Sequence, residues 1–110
     1  MPRILVTLAG ISGFLAVLLA ALSAHGAEEA RVMTGQVATL LGWHAPAFLA
    51  LAAWGRGGAA AALWALGLLL FGSAVLLRAH AGVSLGPIAP TGGIAMMLGW
   101  ASLAVLAWRR

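Results

Sequence analysis

His44 is the one titratable side chain set deep inside an apolar stretch of this sequence. Counted from Gln36 along a helix it lies about 12 Å in. An ionisable group at such depth needs a partner or a purpose, because lipid neither solvates it nor balances its charge. Proton relay, ligand contact and metal binding are the chemistries open to an imidazole there. The structural alternative is a neutral ring bonded to a neighbouring helix, or to a carbonyl freed by Pro46, which has no N–H. In helical projection His44 shares its face with Leu40, Leu41, Ala47, Phe48 and Leu51, opposite Gly42. Nothing polar in its own helix joins it.

A second set gathers nearer a membrane surface. His25, Glu28 and Glu29 stand at i, i+3 and i+4, so one helical face would present an imidazole and a carboxylate. With His80 and Arg78 they form a candidate outer-face polar cluster, for metal or for proton handling. Structural and catalytic zinc sites need three or four convergent ligands, and a His-x-x-Glu pair alone does not make one. Dipole compensation at a helix start explains Glu28 and Glu29 without any ligand. Arg78 can snorkel to head groups or form a weak, screened pair with Glu28 or Glu29.

Other chemistries fall away. There is no Gly-x-Ser-x-Gly elbow, no His-Glu-x-x-His and no phosphate-cradling Gly-Lys-Ser/Thr. The sequence has no Cys, so it offers no thiolate, disulfide or iron–sulfur ligand. No apolar run holds a carboxylate for acid/base work. Haem would need two His at matching depth, and His44 lies far deeper than His25 and His80. No catalytic residue, metal or cofactor is assigned, and an enzyme is not expected.

The elements that must position these residues are four apolar runs, at about 4–22, 36–54, 59–77 and 92–108. A run of 19 residues spans about 29 Å as a helix, against a hydrocarbon core of about 30 Å. Only 7% of residues are charged and 64% are hydrophobic, where a soluble domain carries about 25% charged. Backbone polar groups in lipid must pair internally, and continuous rather than alternating apolar runs select helices over a barrel. The expected fold is all-α: a single transmembrane domain, 1–110, forming an integral membrane four-helix bundle with antiparallel helices. The net charge of +4 comes from arginines scattered singly at run ends. That pattern fits anionic head groups, not nucleic acid.

Between the runs, residues 23–35 are polar and have room for a helical turn or two leading into the second span. Residues 55–58, Gly-Arg-Gly-Gly, make a short hairpin link, with Gly ending one helix and releasing the next. Residues 85–93 cannot form one regular helix. They read as a stiff extended turn built on Gly86, Pro87, Pro90, Gly92 and Gly93, with Thr91 as N-cap. Arg3, Arg56, Arg109 and Arg110 would share one side, against Arg31 and Arg78 with both Glu on the other. The positive-inside rule then puts both termini in the cytoplasm. The first run resembles a secretory signal but is longer than a signal core, so an uncleaved span is expected. Trp54, Trp100 and Trp108 read as interfacial anchors, with Trp43 and Trp64 deeper. Ala16, Ala20 and Ala24, and Ala38, Gly42 and Pro46, offer small-residue faces for helix contact or homodimerisation.

Three segments together resemble the YgdD-like family of small bacterial membrane proteins, a domain of unknown function with a related animal transmembrane protein. Ala21-Leu22-Ser23-Ala24-His25-Gly26 is similar to that family's Ala-Phe-Gly-Ala-His segment. Trp43-His44-Ala45-Pro46-Ala47-Phe48 is similar to its Tyr-His-Ala-Leu-Ala-Leu segment. Leu70-Phe71-Gly72-Ser73, Leu85-Gly86-Pro87-Ile88-Ala89-Pro90-Thr91-Gly92-Gly93 and Gly99-Trp100 resemble its third-to-fourth helix signature, the most specific of the matches. Pro46 in place of an apolar helix former, Ser23 in place of Gly and a short first gap depart from the pattern. The resemblance implies four helices and puts His25 and His44 on motif positions, without supplying an activity.

The leading expectation is an accessory or structural component of the bacterial cytoplasmic (inner) membrane. Its partners would be lipids and either a second copy or another membrane protein. The rival is a small oligomeric transporter or proton-coupled carrier using His44, with His25 near its outer mouth. Small multidrug exporters share this size but depend on a Glu in the first span, which is missing here.

Overall fold

The computed structural model describes residues 2–109, so Arg110, counted above in the charge balance, lies outside them. Four α-helices follow in order: α1, Pro2–Leu22; α2, Glu28–Trp54; α3, Gly58–Ala81; and α4, Ile88–Leu106. All four are long and apolar enough to cross a membrane. Even the 19 residues of α4 reach about 29 Å.

The helix ends follow from local chemistry, and several differ from the apolar runs. α2 begins at Glu28, well before Gln36, because Glu28 and Glu29 suit the positive end of the helix dipole. Arg31 N–H already donates to the Ala27 carbonyl there. The polar stretch is therefore mostly helix, and only residues 23–27 link α1 to α2. Gly55 and Gly57, with φ of 77° and 90°, occupy the left-handed region at the next link. They end α2 and open α3 as their composition predicts. α3 runs on to Ala81, which puts Arg78 and His80 in its last turn.

The turn expected over residues 85–93 is the main correction. α4 starts at Ile88, so Pro90, Thr91, Gly92 and Gly93 are helical, and the link is residues 82–87. Pro90 is tolerated because the first N–H groups of a helix have no acceptor within it. Gly86, with φ 62°, and Pro87 remain in the turn. Thr91 is not an N-cap, since its hydroxyl donates back to the Pro87 carbonyl at 2.7 Å.

α1 packs on α2, α2 on α3 and α3 on α4. The Cα envelope, 49 × 26 × 17 Å, is a slab rather than a closed square bundle. The tightest seam joins α3 to α4. A Cβ built on Gly67 would lie 2.6 Å from the Gly92 carbonyl oxygen, and one on Gly92 2.6 Å from the Phe71 nitrogen. Backbone thus meets backbone, as small residues permit where lipid gives no hydrophobic drive. The α1–α2 contact is looser: a Cβ on Gly13 would sit 3.7 Å from Ala45, and one on Gly42 3.9 Å from Ala16. Of the small-residue faces read from the sequence, Ala16 and Ala38 are buried. Ala20, Ala24, Gly42 and Pro46 are exposed. Leu5 and Ala9 of α1 join Phe48, Leu51, Ala60, Ala61 and Trp64 in the main core cluster.

Candidate functional site

His44 sits midway along α2 and is 2% exposed. Its Nδ1 lies 2.7 Å from the Leu40 carbonyl, one turn back. Its Nε2 lies 3.1 Å from the indole Nε1 of Trp100 on α4. An indole N–H only donates and a carbonyl only accepts. The two partners together therefore set the neutral tautomer, with Nδ1–H donating to Leu40 and Nε2 accepting from Trp100. Pro46 does not supply the acceptor: the carbonyl it leaves without an i+4 donor is that of Gly42.

Aromatic rings enclose the imidazole. Trp64 of α3 meets it edge-on with centroids 5.5 Å apart. Trp100 stands at 5.7 Å and also stacks on Trp64 at 4.4 Å. Phe48, one turn further along α2, meets Trp64 edge-on at 5.7 Å. Gly99 admits this arrangement, since a Cβ there would lie 2.6 Å from the Trp64 ring. The Trp64 indole N–H is buried with no hydrogen-bond partner. One polar centre thus ties α2, α3 and α4 together. It also borders a groove of about 360 Å³ between α2 and α4.

Sequence reasoning found His44 but not its partner. Trp100 reads as an interfacial anchor, and the structure adds that it is the donor to His44, half exposed with its indole N–H turned to the imidazole. No signal in the sequence pairs the two: the bond from Arg56 to the Arg109 carbonyl, which sets these chain segments side by side, is itself a product of the fold.

The residues of the expected polar cluster do not converge on one site. His25 is exposed in the α1–α2 link, and Glu28 and Glu29 are exposed at the start of α2. His80 pairs with Thr34 of α2, its Nε2 2.9 Å from the hydroxyl. Arg78 borders a small cavity with Gln36, Ser84 and Gly86. Among the described residues no three His, Asp or Glu are grouped so as to hold a metal ion. No hydrogen bond joins any two of the five among those residues.

No protein-family model, curated protein or solved structure matches the chain.

Proposed function

We propose that this chain is a small accessory or structural protein of the bacterial cytoplasmic membrane, without catalysis of its own. Its four helices cross antiparallel, with both termini in the cytoplasm and residues 23–27 and 82–87 outside. The YgdD-like resemblance belongs to the same proposal. What supports the structural reading is that both ring nitrogens of His44 are satisfied inside the protein, by Leu40 and Trp100. An imidazole so bonded acts as a clamp between α2 and α4. As imidazolium it would turn a second N–H toward the Trp100 N–H, two donors face to face. Purification in mild detergent, with co-purifying proteins identified by mass spectrometry, tests the accessory role. A defined membrane-protein partner at fixed stoichiometry is expected, and a chain recovered repeatedly without one would count against it.

The carrier reading draws on one observation, that His44 borders the α2–α4 groove. It requires the ring to leave Trp100 in each cycle. Flux driven by a pH gradient in proteoliposomes, abolished in a folded His44→Ala variant, would establish the carrier and overturn the accessory reading.

A further inference from the structure

We propose that the groove between α2 and α4 binds one anionic phospholipid, with its phosphate on Arg78 and one acyl chain running to the His44–Trp100 pair. Two cavities on this side of the slab carry the inference. One, of about 190 Å³, is bordered by Gln36, Arg78, Ser84, Gly86 and Ala89. The other, of about 360 Å³, is bordered by Leu40, Phe71, Pro90, Met97 and Trp100, with His44 at its side. Their linings adjoin along all three helices. Gln36 and Leu40 are one turn apart on α2, Val75 and Phe71 one turn apart on α3, and Ala89 and Pro90 are adjacent on α4. From Gly86 to Trp100 the combined groove runs about 21 Å, enough for a head group and the roughly 15 Å of one leaflet of a hydrocarbon core about 30 Å thick.

Its chemistry changes along its length as a lipid's does. The end at Arg78 holds a guanidinium, an amide and a hydroxyl, beside the N-terminus of α4. Both carboxylates of the chain sit at the start of α2, and among the described residues neither bonds Arg78. A guanidinium fork with no carboxylate partner matches phosphate geometry, and the first-turn N–H groups of α4 add to the positive potential. The remaining length is apolar, with Leu40, Phe71, Ile94, Met96 and Met97 lining it. An acyl chain suits such an apolar length, and the cation at its end favours an anionic head group over a second copy of this chain, whose net charge is +4. A free phosphate would leave the apolar length unfilled. The cleft between α1 and α3 is larger, about 520 Å³, but has no charged residue at its rim to select an occupant.

The test is native mass spectrometry of the purified protein titrated with phosphatidylglycerol, with phosphatidylcholine and inorganic phosphate as separate arms. One retained phosphatidylglycerol per chain is expected, and inorganic phosphate should not displace it. Arg78→Gln should weaken retention about tenfold, as for loss of a charge-assisted hydrogen bond. Arg31→Gln, which removes a cation bonded instead to the Ser23 carbonyl, should leave retention unchanged. Gly93→Leu gives a second variant that does not depend on the charge. Gly93 lines the groove and a Cβ there meets nothing within 4 Å, so a larger side chain should take up groove space and also reduce retention. Full retention by either Arg78→Gln or Gly93→Leu overturns the proposal. So does equal retention of phosphatidylcholine, displacement by inorganic phosphate, or a lipid-free dimer. None of these results depends on whether a protein partner is found.

Discussion

At the scale of the residue, one imidazole and one indole connect helices that sequence leaves far apart. The bond from Trp100 to His44 is 3.1 Å long, and the imidazole that accepts it is buried. Interhelical bonds of this kind are worth about 1 kcal/mol in membranes, because the separated helices find other partners. Trp100→Phe should therefore lower stability by about 1 kcal/mol in a denaturing-detergent titration, leaving Nε2 of His44 without a donor. His44→Leu strands the Trp100 N–H in turn. The double variant should lose less than the sum of the two single losses, since it leaves neither atom stranded. Additive losses would show that the two residues do not interact. The depth of His44 was legible in the sequence because an ionisable group stands out in an apolar run. Its partner was not, because a tryptophan fits a membrane interface as readily as a buried hydrogen bond, and only the fold brings residues 44 and 100 together.

At the scale of the element, glycines set how closely the helices approach. Gly67, Gly92 and Gly99 form the α3–α4 seam, and at each an added Cβ would fall within 2.6 Å of a neighbouring atom. At Gly67 and Gly92 the obstructing atoms include backbone, which cannot swing aside. Gly92→Ala should thus force the helices apart and cost about 1–3 kcal/mol, the usual penalty of overpacking. Gly10→Ala is the matched control, since its Cβ meets nothing within 4 Å. It should be neutral or stabilising by up to about 1 kcal/mol, as alanine is the better helix former. Equal melting shifts for the two variants would refute the seam. The sequence displayed small-residue spacing in the first two helices, yet the closest contact lies between the last two. Spacing alone does not reveal which stripe faces a neighbour and which faces outward. The same limit explains the late start assigned to the fourth helix. Pro90, Gly92 and Gly93 read as breakers, but Pro90 falls in the first turn, where it costs little, and Gly92 is held by the seam itself.

At the scale of the whole molecule, a slab 17 Å thin leaves much apolar surface uncovered. Phe14, Leu69 and Met97 are more than 60% exposed, an arrangement that water would penalise and lipid would not. The number of helices was legible because each apolar run is long enough to cross a bilayer, while their starts were not, since α2 begins at Glu28 and α4 at Ile88. The flatness was not, because it depends on which faces meet. Charge placement sets the expected orientation. The end of the molecule carrying Arg3, Arg56, Arg109 and Arg110 holds more cations than the opposite end, where Arg31 and Arg78 sit, and only that opposite end adds acid. Short arginine-bearing segments resist translocation, so residues 23–27 should face outward and both termini inward. The absence of native cysteine permits a clean measurement. His25→Cys places a thiol in an exposed link, and Trp108→Cys places one at a position that is 91% exposed. In intact cells a membrane-impermeant maleimide should label residue 25 at once and residue 108 only after permeabilisation. The reverse pattern would invert the orientation. Labelling of both in intact cells would place the two sites on the outer side and remove the four-span topology altogether.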